Sequence, residues 1–205
     1  KRLKNELLIE AAGEQVSAVN AAASMNKLLQ ISGGAVYTDK KEVVEFDISP
    51  RLNELKSVID ETSNKVVVFV PFLHTIDMVS EFLKNNGITA SIIRGDVSAR
   101  ERSEIISRFQ TQSDPRVLVI QPQSASHGVT LTAADTVVFW GPVMSVETYI
   151  QCCARSDRMG QDSDKVTVIH LQGSEIEKRM FKQLENRVDD HGLLIKLYEE
   201  EIKSK

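Results

Sequence analysis

Lys65-Val66-Val67-Val68-Phe69-Val70 is a nearly unbroken run of apolar, mostly β-branched residues. A strand exposed on one face would alternate apolar with polar. A continuous run suits a strand buried on both faces, as in a parallel sheet covered by helices. Downstream the same rhythm repeats. His74 to Leu83 reads as a helix ended by Asn85-Asn86-Gly87, and Ser91 to Ile93 as a short strand. Ser98 to Phe109 reads as a helix with Ile105, Ile106 and Phe109 inward, and Val117 to Ile120 as a third strand. Thr136 to Phe139 is a fourth strand, Ser145 to about Arg155 a helix, and Val166 to Leu171 a fifth strand. The order β-α-β-α-β-β-α-β predicts an α/β fold: an open, mainly parallel β-sheet with helices on both faces.

Outward from this unit, both ends read as helical. Leu3, Leu7, Leu8 and Ala11, then Val19, Ala22, Met25, Leu28 and Leu29, recur at spacings of three and four, and Gly33-Gly34 stops that pattern. A polar stretch, Thr38 to Glu42, follows. Ser49-Pro50 then predicts a helix start with Ser49 as N-cap and Pro50 in the first turn, leading into Leu52, Leu55, Val58 and Ile59. After the last strand, Ser174 and Glu177 form a capping box ahead of Ile176, Met180, Phe181 and Leu184, and Leu193 to Ile202 is a last helical piece. The expected organisation is a helical lead-in and connector over residues 1–49, an α/β lobe over 50–172, and flanking C-terminal helices over 173–205 that pack on it.

Composition narrows the function classes. The chain has 205 residues, 41% of them hydrophobic and 26% charged, which is too apolar for a disordered chain and sufficient for a real core. Its longest apolar run, Val66 to Leu73, falls well short of the roughly 20 residues a membrane span needs, so no membrane partner is expected. The formal net charge of −4 argues against a dedicated nucleic-acid module but leaves room for a local basic strip. Cys152 and Cys153 are adjacent, which suits neither an ordinary disulfide nor zinc-ligand spacing. No metal site is read in the pattern, and with no signal-like apolar stretch at its start a reducing intracellular location is expected, cytoplasmic or nucleoid/nuclear. The chain begins at Lys1, not Met, and is expected to be cut from a longer protein.

In open parallel sheets ligands bind beyond the carboxyl ends of the strands. Inspection therefore starts at Pro71 to His74, Arg94-Gly95-Asp96, Gln121 to Gly128, Trp140-Gly141-Pro142 and Gln172-Gly173. These loops are rich in Gly, Ser, Gln and Arg, which suits phosphate contact. The most informative stretch is Gln151-Cys152-Cys153-Ala154-Arg155-Ser156-Asp157-Arg158-Met159-Gly160-Gln161. If the helix continues, Arg155 and Arg158 project from one face and clamp an anion. The plain alternative is two solvated arginines.

Taken together, five segments resemble the second RecA-like lobe of the Swi/Snf-type helicase-like ATPases of superfamily two. Leu28-Leu29-Gln30-Ile31-Ser32-Gly33-Gly34 resembles that family's lead-in helix end. Lys65 to Phe69 with Ile76 to Leu83 resembles its fourth motif, and Ile93-Arg94-Gly95-Asp96-Val97-Ser98 through Arg102 to Phe109 the segment that follows. Ser124 to Asp135, with Gly128, Leu131, Thr132, Ala133 and Ala134, resembles the fifth motif. Gln151, Arg155, Arg158, Gly160 and Gln161 match the sixth, Q-x-x-x-R-x-x-R-x-G-Q.

The resemblance implies a motor lobe that faces an N-terminal RecA-like lobe of the same polypeptide across an ATP site. Arg158, with Arg155 beside it, is then the arginine finger that stabilises the γ-phosphoryl transition state. Gln151, Gln161, Gly128 and Gly160 lie on the ATP side. Ser124, Arg94, Gly95 and His127 lie along the path of a nucleic acid, duplex DNA held by its backbone. The family's pattern is not matched throughout: its glycine-rich loop reads Ala125-Ser126-His127-Gly128-Val129-Thr130 here, and Trp140-Gly141-Pro142 stands where an acidic, tryptophan-asparagine-proline run is usual. This marks a divergent member.

The sequence contains no G-x-x-x-x-G-K-[ST] and no strand ending in D-E-x-H. ATP and Mg²⁺ are therefore expected to be bound mainly by the N-terminal lobe, and the isolated chain is expected not to hydrolyse ATP. Several single residues keep two readings. His127 and His74 serve either function or surface, Trp140 either base stacking or packing, and the cysteines either redox or core. The alternative for the chain as a whole is a non-catalytic scaffold of the same fold that binds nucleic acid or protein.

Overall fold

The computed structural model describes residues 21–188 apart from 39, 127–128, 158–159, 162 and 164. The helix read over the first 20 residues and the one at Leu193 to Ile202 lie outside the described residues. The elements are α1 (Ala21–Gly33), β1 (Ala35–Tyr37), β2 (Val43–Glu45), α2 (Ser49–Glu61), β3 (Lys65–Phe69), α3 (Leu73–Asn85), β4 (Ala90–Ile93), α4 (Ala99–Thr111) and β5 (Val117–Ile120). A 3₁₀ turn (Pro122–Ser126), β6 (Ala134–Phe139), α5 (Val146–Cys153) and β7 (Thr167–His170) follow. A last helix, α6, covers 175–188.

Strands β3 to β7 form one five-stranded sheet in the order β4-β5-β3-β6-β7, parallel throughout. The opening run of valines lies at its centre. Val66 to Phe69 pair with Val117 to Ile120 on one side and with Thr136 to Phe139 on the other. Both faces are covered. Val66, Val68 and Val70 pack with Leu55 and Ile59 of α2 and with Ile76, Val79 and Leu83 of α3. Val67 and Phe69 pack with Phe109 of α4, Tyr149 and Cys152 of α5, and Phe181 and Leu184 of α6. Successive β3 side chains thus enter opposite cores, and every residue from Val66 to Val70 is fully buried. At about 1.5–3 kcal/mol for each such side chain, this strand alone is a large part of the driving force.

Local chemistry sets the helix ends, with two corrections to the sequence reading. Ser49 is the first residue of α2 and not its N-cap. Ile48 is the N-cap and makes no side-chain cap bond, while the Asp47 carboxylate accepts the Ser49 amide at 2.9 Å. The Ser49 hydroxyl, and after it this amide, hold the Asp47 carboxyl below the usual carboxylate range. Pro50 is in the first turn, as expected. Helix α5 ends at Cys153, with Ala154 as C-cap, so Arg155 follows the helix and does not extend its face. Ser98 and Ser145 cap α4 and α5, their hydroxyls accepting from the amides of Glu101 at 3.2 Å and Thr148 at 3.3 Å.

The polar stretch Thr38 to Glu42 turns out to join a two-stranded antiparallel hairpin in which Tyr37 pairs with Val43 and Ala35 with Glu45. Strands of three residues are too short to leave a period in the sequence.

Candidate nucleotide and nucleic-acid interface

All five strands of the sheet run the same way, so the chain must return to the amino end before each new one. Between β3 and β4, β4 and β5, and β6 and β7 a helix makes that return. Between β5 and β6 the described residues hold only the 3₁₀ turn. After the 3₁₀ turn the chain lies across the sheet face that α4 and α5 also cover. Ala125, Val129 and Leu131 join the core there. Gln110 of α4 clamps the path, donating to Thr132 Oγ1 at 3.1 Å and accepting the Ala133 amide at 2.9 Å. The fifth-motif segment therefore stands in for a crossover helix.

This path separates the candidate residues. Arg94 and Gly95 lie beyond the carboxyl end of β4, and Ser124 beyond that of β5, where sheet logic places ligands. Arg94 is partly exposed and paired twice, Nη1 to Asp77 at 2.9 Å and Nε to Asp96 at 3.1 Å. The Gly95 amide donates to Gln121 Oε1 at 3.1 Å. Ser124 is 4% exposed, its amide bonded to the Gln121 carbonyl at 2.8 Å.

Arg155 and Gln161 are elsewhere, near the amino end of β6. Here the expectation that candidates collect beyond the carboxyl ends is corrected. Helix α5 runs back antiparallel to β6, so the segment after it begins where β6 begins. The Arg155 carbonyl accepts the Leu131 amide at 2.8 Å, a backbone bond between the fifth- and sixth-motif segments. Arg155 is itself only 6% exposed. Gln151 remains on α5 and donates to Glu147 Oε1 at 3.2 Å. Gly160 has φ +95°, a left-handed conformation that glycine alone adopts without strain. The Gln161 side-chain amide donates to the carbonyls of Ala134 and Ser156, both at 2.9 Å, and its oxygen accepts the Ser163 amide at 3.2 Å. Arg158, Gly128 and His127 lie outside the described residues.

Two further groups hold this region: Asp135, whose motif does not reveal its partners, and Gln110, which carries no signal of its own in the sequence. Asp135 accepts Ser163 Oγ at 3.2 Å and Thr136 Oγ1 at 3.0 Å, and also takes the Asn64 amide. Asp135 closes the fifth motif, but its partners come from the strand edge and from a loop 28 residues on. Gln110 looks like any exposed residue of an amphipathic helix.

Of the residues with two readings, Trp140 and the cysteines resolve toward packing and His74 toward a surface pair, while His127 lies outside the described residues. Trp140 is fully buried and donates to the Gly33 carbonyl at 2.9 Å. His74 Nε2 meets Glu45 Oε1 at 2.6 Å, joining α3 to the hairpin. Cys152 is buried and Cys153 half-buried, and burial pushes the Cys153 thiol up to about 11 and Cys152 higher still. Among the described residues no group of His, Cys, Asp and Glu could hold a metal ion, and no helix is long and apolar enough to cross a membrane.

Residues 50–160 match the family model of the helicase conserved C-terminal domain. The chain belongs to that family. This helicase C-terminal domain is 24% identical over 170 residues to an uncharacterized ATP-dependent helicase of Mycoplasma genitalium, covering 82% of the chain and 16% of the relative. It is 26% identical over 164 residues to the helicase SWR1 of Saccharomyces cerevisiae, covering 74% of the chain and 11% of SWR1. It is 26% identical over 163 residues to the chromatin-remodeling ATPase INO80 of Mus musculus, covering 78% and 10%. The helicase C-terminal domain thus spans 10 to 16% of the length of these relatives.

Among solved structures it resembles the C-terminal part of the Fun30 ATPase domain, with a TM-score of 0.59 and 18% identity over 64% of this chain and 44% of that one. It also resembles the C-terminal domain of the DEAD-box protein Dbp5, with a TM-score of 0.58 and 19% identity over 70% and 81%. At those identities the likeness is one of fold. The RecA-like lobe expected from five motifs is here a helicase C-terminal domain, and the Swi/Snf-type proteins SWR1 and INO80 are among those it is similar to.

Proposed function

We propose that this domain is the second motor lobe of a DNA-dependent ATPase that translocates on duplex DNA without separating its strands. One observation carries the reading. The fifth- and sixth-motif segments, far apart in sequence, are joined backbone to backbone by the Leu131 amide and the Arg155 carbonyl at 2.8 Å. A change at either segment, one toward DNA and one toward nucleotide, is then felt by the other.

In this reading Arg158 is the finger that meets charge developing on the γ-phosphoryl group, and Arg155 supports it from a buried position. Gln151, Gly128 and Gly160 face the nucleotide. Ser124, Arg94, Gly95 and His127 follow the DNA backbone, with Arg94 exchanging Asp77 and Asp96 for phosphate oxygens. ATP and Mg²⁺ are held mainly by an N-terminal RecA-like lobe of the same polypeptide, the chief protein partner. The setting is intracellular, in the cytoplasm or in the nucleoid or nucleus.

The test is Arg158→Ala in the full-length protein. DNA-stimulated hydrolysis should fall by about 10³-fold or more while ATP binding is kept. Turnover at the wild-type rate in that variant would overturn the finger role.

A further inference from the structure

We propose that Gln161 is a positioning residue for the segment that carries Arg158, and not a ligand of the nucleotide. This rests on the reading of Arg158 as the finger.

A glutamine side chain has two N–H donors and one carbonyl oxygen with two lone pairs. Both donors of Gln161 are taken, one by the Ala134 carbonyl and one by the Ser156 carbonyl, each at 2.9 Å. The oxygen accepts the Ser163 amide at 3.2 Å. A nucleotide contact by the amide nitrogen would have to break one of these bonds.

The three partners define a job. Ser156 and Gln161 bracket residues 157–160, so one carboxamide fastens both ends of that short segment to the first residue of β6. Both anchors are fixed points, since Ala134 and Ser156 are fully buried. Gly160, with φ +95°, supplies the reversal that lets residue 161 fold back. Beyond it Asp135 takes the Ser163 hydroxyl at 3.2 Å, with Asn64 donating to that same hydroxyl at 3.3 Å. Ahead of it the Leu131 amide holds the Arg155 carbonyl at 2.8 Å. The two ends of the segment are therefore tied to β6, which lies next to the centre of the sheet, and to Leu131 just ahead of that strand. Catalytic geometry is sensitive to such ties, because a displacement of about 1 Å can cost roughly 10²-fold in rate.

Two substitutions in the full-length protein test this. Gln161→Glu keeps the shape but sets a carboxylate against two carbonyl oxygens. Gln161→Asn keeps the amide but is one methylene too short to bridge them. Both should lower kcat for ATP by about 10²-fold with KM and ATP binding unchanged. Amide exchange should quicken across residues 155–163 while Val66 to Val70 stay protected. In an Arg158→Ala background neither should lower kcat further.

A rise in KM and in the ATP dissociation constant without faster exchange at 155–163 would overturn the proposal in favour of a nucleotide ligand. Unchanged kcat would overturn it too. If Gln161→Glu exposes Val66 to Val70 it has unfolded, and Gln161→Asn decides. If Arg158→Ala alone keeps its turnover, the finger reading falls. Exchange at 155–163 then judges the tether by itself, faster exchange supporting it and unchanged exchange overturning it.

Discussion

The Arg51 guanidinium grips the Glu177 carboxylate through two bonds, Nη1 to Oε1 at 2.9 Å and Nη2 to Oε2 at 2.7 Å, across 126 residues of chain. Both side chains are almost wholly buried, at 9% and 1% exposure. Nη1 also donates to the Trp140 carbonyl at 2.8 Å, and the guanidinium lies 5.4 Å from the centre of the Trp140 ring. Glu177 also accepts the Gly173 amide at 2.9 Å and the Ser174 hydroxyl at 3.0 Å. The start of α2, the end of β6 and the start of α6 therefore meet at one ion pair.

Removing one partner strands a buried charge. Glu177→Ala should destabilise the domain by about 3–5 kcal/mol in urea unfolding. Replacing the pair together, Arg51→Met with Glu177→Leu, should recover most of that loss, because neither charge then needs a partner. Equal losses in the single and double variants would show that packing, not charge pairing, dominates here.

Gly173 makes this grip possible. A Cβ at this position would stand 2.5 Å from Arg51 Nη2, the tip of a guanidinium held by two bonds to Glu177 and, through Nη1, by one to the Trp140 carbonyl. Gly173→Ala should cost about 1–3 kcal/mol, as overpacking does. In an Arg51→Met background most of that cost should vanish. Additive losses in a double-mutant cycle would sever Gly173 from Arg51.

His170 makes stability depend on pH. Its Nε2 lies 2.9 Å from the Tyr149 hydroxyl, its Nδ1 lies 3.3 Å from Glu185, and its ring stacks on Phe181 with centroids 4.1 Å apart. Burial lowers its pKa, partly offset by Glu185. The folded protein therefore binds a proton at His170 less readily than the unfolded chain. This contribution to stability is whole above roughly pH 6.5, the unfolded value, and is lost as pH falls from there through the lowered folded value. The melting temperature should drop between pH 7.5 and 5, and His170→Gln should flatten that part of the profile. A profile of the same slope in the variant would place the titrating group elsewhere.

The vicinal cysteines should be slow to react. Burial keeps both thiols protonated at neutral pH, with Cys153 pushed up to about 11. Only the thiolate attacks. At pH 7.5 a thiol reagent should label Cys153 slowly and Cys152 more slowly still, and both at once after unfolding. Rapid labelling of the folded protein would contradict the burial of α5.

Much of the fold was legible because it is written in periodicity. Val66 to Val70 announce a strand with two buried faces, and Ser98, Ser145 and Ser174 mark helix starts through hydroxyls that accept backbone amides. At Ser49 the same rule slips by one: Ser49 is already the first helical residue, and the Asp47 carboxylate accepts its amide. Of the candidate site, the motif residues were visible but their surroundings were not. Arg155 was expected on a helix face beside Arg158. Instead α5 stops at Cys153, and the Arg155 backbone takes up the Leu131 amide.

From sequence alone come the five strands of the main sheet, their parallel setting, two helical layers and the motor-lobe motifs, since each rests on neighbours a few residues apart. Only the tertiary structure decided that β3 is central, that Val129 and Leu131 enter the core beside α4 and α5, and that Gln161 reaches Ala134. It alone also brought Arg51 to Glu177. Periodicity records which side of an element faces apolar surroundings. It carries no record of which distant element supplies them, and that choice is made by strand order and core packing in the folded chain.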